Sequence, residues 1–316
     1  MFVTLNEIIK WMIIFVILEI LCWSSISLFQ SQFKMKNILS NQRMVFDLSL
    51  LQEEFDELAS SVHFVQFDKN KLAKVVKKKK ESKFRLIYLR NNEDVLSIEG
   101  DTVEPICYTN TVPLDSLSIQ EKKKTFINMM IPSILLAKYK MKLEREKVAL
   151  LLQKKALSQK ELDWLTAKKR DFKAVDSDEL YKRMEQHPTS LIIAQAIVES
   201  GWGTSKFFQS ANNVFGIWSF DKSDRRIAAS EKRGNKRIYL KKYSNIHQSI
   251  YDYLLTIGNV SHYESFREKR LETQDPFALV EYLDKYSEQG DEYIANIKNI
   301  MRKNHLLKYD SYQLNL

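Results

Sequence analysis

The stretch Thr189-Ser190-Leu191-Ile192-Ile193-Ala194-Gln195-Ala196-Ile197-Val198-Glu199-Ser200-Gly201-Trp202-Gly203 decides the fold. It opens with helix-capping residues and is then apolar on nearly every side, which predicts a helix buried in a core. Gly201 and Gly203 supply the left-handed or tight backbone that ends a helix. Glu199 is therefore predicted at the C-terminal end of a buried helix.

The predicted surroundings of Glu199 indicate its chemistry. Desolvation and the negative end of the helix dipole both disfavour the carboxylate, so we expect the pKa of Glu199 to be raised. A carboxylic acid that keeps its proton near neutral pH can act as a general acid. The alternative is a structural carboxylate paired with a basic neighbour such as Lys206.

The next segment, Asn212-Asn213-Val214-Phe215-Gly216-Ile217-Trp218, combines amides with aromatic rings. Amides hydrogen-bond sugar hydroxyl and acetamido groups, and aromatic faces stack on pyranose rings. Asn212, Asn213, Phe215, Trp218 and the earlier Trp202 are therefore candidate substrate-binding residues. Core packing of the rings and a turn role for Asn213 are the alternatives.

Secondary structure is predicted on both sides of this motif. Downstream, Arg225 to Tyr243 has the pattern of a β-hairpin with a turn at Gly234-Asn235. Upstream, Ser118 and Ser158 each open a helix with a capping-box pattern, and Asp176 or Ser177 caps a helix over residues 179–186. Pro132 is expected to kink or restart the first of these helices.

Composition supports a mainly α-helical protein. The 316 residues include only 7 Gly and 5 Pro against 28% charged residues, a balance that favours long helices over a many-turned β-protein. The two cysteines, Cys22 and Cys107, suggest neither a disulfide framework nor a metal site, and no cofactor is indicated. A formal net charge of +9 suits any polyanion and does not by itself choose among nucleic acid, anionic lipid and an acidic wall polymer.

The N-terminus predicts a membrane anchor. Residues 11–29 are mainly apolar and would span about 28 Å as a helix, which is close to a membrane thickness. Glu19 interrupts this run, and an ionisable group in a bilayer is costly. We predict a transmembrane helix over residues 8–29, with a cleaved signal peptide ending near Ser25 and Ser27 as the alternative.

The segment between the anchor and Val112 is less regular. Apolar residues recur at spacings of three and four over residues 33–62, which predicts an amphipathic helix. Phe84 to Leu89 has strand-like composition, so a small strand-containing element is predicted within residues 64–112. We interpret residues 33–112 as a membrane-proximal region.

The motif of residues 193–205 and 212–218 resembles the signature of bacterial peptidoglycan glucosaminidases, and more narrowly of their Bax-type membrane-associated members. These are relatives of glycoside hydrolase family seventy-three. The resemblance extends over about residues 113–308, because further positions fit the family's helical leader and tail. These positions are 112–114, 122–126, 130–132, Tyr243, Ser249, Tyr253, Tyr263 and Phe266. The resemblance implies a lysozyme-like helical domain with a small hairpin lobe, in which Glu199 matches the catalytic glutamate.

The resemblance leaves the second catalytic group open. Most glycosidases use a second carboxylate, and related glucosaminidases bear one on the hairpin lobe, where Glu231 is the nearest candidate. Alternatively the substrate's N-acetyl group attacks the anomeric carbon, and a tyrosine orients the acetamide or water; Tyr253 and Tyr263 are then the candidates. Packing within the helices is the structural alternative for both tyrosines.

The expected function is hydrolysis of the β-1,4 bond that follows N-acetylglucosamine in peptidoglycan, on the outer side of the cytoplasmic membrane. A lytic transglycosylase or muramidase of lysozyme-like fold and a non-catalytic glycan-binding scaffold are the rivals, and no nucleic-acid motif occurs. The predicted organisation is an anchor (8–29), a membrane-proximal region (33–112), a helical leader (113–175) and a glucosaminidase domain (176–310).

Overall fold

The computed structural model describes residues 44–47, 83–233 and 236–316, with side chains for residues 84–229 and 237–316. The predicted anchor, most of the predicted helix at 33–62 and the turn at 234–235 lie outside the described residues. So does the side chain of Glu231. Within the described ranges no helix is long and apolar enough to span a membrane.

Helices dominate the described part of the chain, as composition predicts. They are α1 (Ile119–Leu152), α2 (Gln159–Phe172), α3 (Ser177–Arg183), α4 (Thr189–Ser200), α5 (Lys206–Ala211), α6 (Ile246–Asn259), α7 (Glu264–Glu272), α8 (Pro276–Leu279) and α9 (Asp291–Lys303). Short 3-10 segments occupy Asn92–Asp94, Ser261–Tyr263, Val280–Leu283 and Leu306–Asp310.

Local capping interactions start the helices that precede the central motif. Ser118 and Ser158 form complete capping boxes with Glu121 and Glu161, as predicted. The Asp176 side chain accepts from the Glu179 backbone and starts α3. Helix α1 continues through Pro132, so the predicted restart is wrong; burial of both flanking turns holds the helix together there.

The central helix, α4, is buried along nearly its whole length. Its own first residues make no side-chain cap. The cap comes instead from Asp310, whose carboxylate accepts from the backbone N–H of Ser190 at 2.7 Å and from its hydroxyl at 2.7 Å. A carboxylate at a helix N-terminus satisfies free N–H groups and complements the helix dipole.

The β-structure of the described residues is limited to three small sheets. Strands β1 (Met44–Asp47), β2 (Lys83–Ile87) and β4 (Ile106–Tyr108) form one sheet in the order β1-β2-β4, with β2 parallel to β4. Strand β1 falls inside the helix predicted over 33–62, because pairing between strands outweighs local helical periodicity. Strands β5 (Arg226–Arg233) and β6 (Lys236–Lys241) form the predicted antiparallel hairpin.

The third sheet has two strands and joins distant parts of the chain. Strand β3 (Thr102–Val103) pairs in parallel with β7 (Gln313–Leu314). One apolar cluster includes Ile87, Phe126, Ile193 and Tyr309. The domain boundaries predicted at 112/113 and 175/176 therefore fall inside one hydrophobic core, because helices and strands on both sides of each boundary pack against the same apolar cluster.

Candidate active site

The site is built at the C-terminal end of α4, where the chain turns sharply. Gly201 caps the helix in the left-handed conformation at φ 57°, and Trp202 and Gly203 follow at φ 57° and 82°. A Cβ on Gly203 would lie 2.9 Å from Phe126 and 3.0 Å from Leu114. The turn is thus seated directly against the core, and this fixes where the last turn of α4 ends.

Glu199 lies in that last turn and is partly buried. The Tyr293 hydroxyl of α9 donates to its Oε1 at 2.9 Å, so the described partner is a tyrosine and not the Lys206 ammonium considered above. Burial raises the pKa of Glu199, and the Tyr293 hydrogen bond opposes this in part. Among the described residues Oε2 makes no hydrogen bond, which leaves one carboxyl oxygen for a substrate.

Three tyrosine rings surround this carboxyl group. Tyr286 stacks on Tyr293 with ring centroids 5.5 Å apart, and Tyr263 lies 5.9 Å from Tyr286. Burial and the neighbouring charge of Glu199 raise the pKa of Tyr263 to about 12, so its hydroxyl keeps its proton. Tyr263 was a candidate from the sequence, and it lies close enough to Glu199 for the charge of that carboxylate to act on it.

Tyr253, the other candidate tyrosine, lies deeper in the core. It is 1% exposed. Its hydroxyl donates to Gln195 Oε1 at 2.5 Å and meets Nε2 of His187 at 2.9 Å. Burial and a hydroxyl that already has two partners argue against direct orientation of substrate by Tyr253. Tyr253 reaches Glu199 only through other side chains.

The amides of the two asparagines also hydrogen-bond within the protein. Asn212 is left-handed at φ 52°, and its amide donates to the carbonyls of Thr109 and Tyr243. The Asn213 amide donates to the carbonyls of Ile217 and Lys241, and its Oδ1 accepts from the Ile217 backbone. These amide groups therefore already have protein partners and close turns that join α5 to the hairpin, and sugar binding by the two asparagines stays a prediction.

The three candidate aromatic residues differ in exposure. Phe215 is 5% exposed and stacks on Tyr253 at 4.1 Å, so it packs in the core. Trp202 is partly buried, with its ring edge against Phe126. Trp218 is 39% exposed on the segment that pairs with β6, which makes it the most exposed of the three.

The hairpin lobe is attached at its base by charged and polar contacts. Lys241 pairs with Asp252 of α6 at 2.8 Å, and the Tyr243 hydroxyl donates to the same carboxylate at 2.6 Å. Glu231 belongs to β5 by its backbone. In the described part of the chain, no three His, Cys, Asp or Glu side chains are grouped so that they could hold a metal ion.

Four residues around Glu199 were missed from the sequence: His187, Gln195, Tyr286 and Tyr293. Their partners are far away along the chain; Tyr293 bonds Glu199 across 94 positions. Gln195 alone gave a usable signal. It is the one polar side chain between Leu191 and Val198, and a buried amide requires hydrogen-bond partners.

Residues 176–306 match the family model for the glucosaminidases, described as mannosyl-glycoprotein endo-β-N-acetylglucosaminidase. The protein Bax of Escherichia coli is 29% identical over 120 residues, which are 36% of this chain and 42% of the relative. The matched segment, residues 176–306, is therefore a glucosaminidase-family domain, and part of the chain is similar to Bax. The glucosaminidase domain is accordingly a glycoside hydrolase domain. The matched residues cover less than half of the length of Bax.

Two solved structures also resemble parts of the chain. The catalytic domain of the autolysin Auto from Listeria monocytogenes is 19% identical with a TM-score of 0.35, over 53% of this chain and 97% of that one. The glycoside hydrolase domain of FlgJ from Salmonella typhimurium is 17% identical with a TM-score of 0.31, over 45% and 87%. At these TM-scores neither likeness establishes the fold, and the lysozyme-like arrangement stays a prediction.

Proposed function

We propose that this chain hydrolyses the β-1,4 bond that follows N-acetylglucosamine in peptidoglycan, with Glu199 as the general acid. The observation that carries the proposal is a carboxyl group at the end of a buried helix, with a pKa raised by burial and only one oxygen engaged by Tyr293. A protonated carboxyl in this setting can give its proton to the leaving oxygen of a glycosidic bond.

The substrate class rests on the family and on charge. The matched family is named for cleavage at N-acetylglucosamine, and the sequence motif resembles bacterial wall glucosaminidases. A net charge of +9 is compatible with a polyanionic wall, although it does not by itself select one. Trp218, with its exposed ring, is a candidate for stacking on a pyranose.

The second group in the reaction is proposed to be Tyr263, assisting attack by the substrate's own acetamido group. Its support is its position beside Glu199 and a hydroxyl that stays protonated. Glu231 is the rival, as the base or nucleophile of a two-carboxylate mechanism.

Replacing Tyr263 by Phe tests this choice against Glu231→Gln. We expect Tyr263→Phe to lower kcat by about tenfold to a hundredfold with KM nearly unchanged, because the lost hydroxyl acts mainly in the transition state. Glu231→Gln should have a small effect, as should the control Tyr282→Phe, whose ring is 37% exposed. A hundredfold loss in Glu231→Gln beside a nearly normal Tyr263→Phe would instead assign a two-carboxylate mechanism.

We also propose that the apolar segment 8–29 anchors the chain in the cytoplasmic membrane with the glucosaminidase domain outside. The support is the length and hydropathy of that segment alone. A spanning helix holds to the bilayer by apolar contacts that salt does not weaken, whereas a surface charge contact is screened.

One experiment tests substrate, bond and location together. The full chain, recovered from membranes after a high-salt wash, should digest purified peptidoglycan to fragments whose new reducing ends are N-acetylglucosamine by mass spectrometry. Anhydro sugars would assign a lytic transglycosylase, and N-acetylmuramic acid ends a muramidase. Binding to peptidoglycan without any cleavage would identify a scaffold, and release of the chain by salt would contradict the anchor.

A further inference from the structure

An unbroken line of hydrogen bonds runs from the core to Glu199. His187 Nε2 meets the Tyr253 hydroxyl at 2.9 Å, and that hydroxyl donates to Gln195 Oε1 at 2.5 Å. Gln195 Nε2 donates to the Tyr293 hydroxyl at 3.1 Å, which donates to Glu199 Oε1 at 2.9 Å. The four residues before Glu199 are each at most 1% exposed, so water does not compete for these bonds.

The line has a direction because the two ends of the Gln195 amide differ. Its NH2 group faces Tyr293 and its carbonyl faces Tyr253. The Tyr293 oxygen therefore accepts from the amide, and its proton is left for Glu199. If the amide turned over, its carbonyl would face Tyr293 and take that proton away from the carboxyl group.

His187 determines which way the amide lies. The Tyr253 hydroxyl has one proton and gives it to Gln195, so His187 must donate to it through Nε2–H. Nδ1 is then unprotonated, and in the described structure it has no hydrogen-bond partner. Burial, together with the nearby charges of Arg270 and Lys138, holds the pKa of His187 well below its usual value; the ring stays neutral and its single N–H stays directed at Tyr253.

We propose that His187, Tyr253 and Gln195 are positioning residues that keep the Tyr293 hydroxyl donating to Glu199. This inference rests on the proposed role of Glu199 as the general acid. The arrangement restrains the rotation of the carboxyl group and leaves Oε2 as the oxygen that carries the transferable proton. None of the three positioning residues touches the substrate.

The effect on pH dependence has a definite sign. Among the described residues, the titratable groups on which the charge of Glu199 acts are Tyr253, Tyr263, Tyr286 and Tyr293. All are neutral phenols, and Tyr293 alone donates to the carboxylate, which favours its ionised form. Loss of that donor raises the pKa of Glu199, so the alkaline limb of the rate profile moves to higher pH.

Tyr253→Phe in the full chain tests the proposal. Without the Tyr253 proton the amide is free to turn over, and we expect the alkaline limb of kcat/KM on peptidoglycan to rise by about one pH unit. Tyr293→Phe should give the same rise or a larger one, and the double variant should match Tyr293→Phe alone, since Tyr253 acts only through Tyr293. Gln195→Met, which has similar volume and no polar atoms, should shift the limb in the same direction.

Tyr251→Phe is the matched control. Tyr251 lies on the same helix, and its buried hydroxyl donates to Glu144, away from Glu199. If the alkaline limb moved as far in this control as in Tyr253→Phe, the movement would reflect general destabilisation, and the proposal would be overturned. So would an unchanged limb in Tyr253→Phe or in Tyr293→Phe, or additive shifts in the double variant. Activity retained by Glu199→Gln is a different result, because it refutes the proposed general acid itself.

Discussion

Glu199→Gln is expected to lower peptidoglycan hydrolysis by at least about a hundredfold, since general acid catalysis typically contributes that much or more. The amide has nearly the same shape and can still accept from Tyr293, but it has no proton to give to the leaving oxygen. The measurement is the release of new reducing ends from purified peptidoglycan, with folding checked by circular dichroism.

The control for this change is Glu272→Gln, on an exposed carboxylate that pairs with Lys269 on the helix surface. It should keep wild-type turnover. In the wild type, activity should persist to a higher pH than an ordinary glutamic acid would allow, because burial raises the pKa of Glu199, and it should fall as that proton is lost. Activity of Glu199→Gln within about tenfold of wild type would refute the general-acid role.

Gly203→Ala should produce the largest loss of stability among single-methyl additions at the site. A Cβ there would lie 2.9 Å from Phe126, 3.0 Å from Leu114 and 3.2 Å from Phe208, at a φ of +82°. The left-handed backbone costs about 1–2 kcal/mol for a residue with a Cβ, and overpacking a core costs about 1–3 kcal/mol more. We expect the free energy of unfolding to fall by about 2–5 kcal/mol.

Gly100→Ala separates the two contributions. Gly100 also has positive φ, +75°, but nothing lies within 4 Å of an added Cβ. In this control the free energy of unfolding should fall only by the cost of the left-handed backbone, about 1–2 kcal/mol. Urea unfolding of wild type and both variants, followed by circular dichroism, gives the comparison. Equal losses of unfolding free energy in the two variants would show that the core around Gly203 rearranges to accommodate a methyl group.

The parts of this fold that could be predicted from the sequence are those fixed by near neighbours. Ser118 with Glu121 and Ser158 with Glu161 are three positions apart, so the pattern contains both partners of each capping box. The left-handed Gly201 that ends α4 is equally local. The hairpin over Arg226–Lys241 follows from alternation and a central turn signal.

The parts that could not be predicted depend on pairs far apart in the chain. Gln195 meets Tyr253 across 58 positions and Tyr293 across 98, and no periodic pattern specifies such a pairing. Asn212 and Asn213 show a different difficulty. A side-chain amide binds a backbone carbonyl and a sugar hydroxyl with the same groups, so residue type alone does not distinguish a turn from a binding site.

The pairing of β3 with β7 has a consequence for the timing of biosynthesis. Thr102 and Gln313 are partners in that sheet and are 313 − 102 = 211 positions apart. At about 5–20 residues per second, a ribosome needs roughly 10–40 s to add that many residues. Throughout this interval β3 lacks its partner strand, and α4, once it has been made, lacks the Asp310 cap, because both partners are among the last of these residues. We therefore expect the nascent glucosaminidase domain to stay incomplete, and the proposed general acid Glu199 unpositioned, until synthesis has passed residue 314.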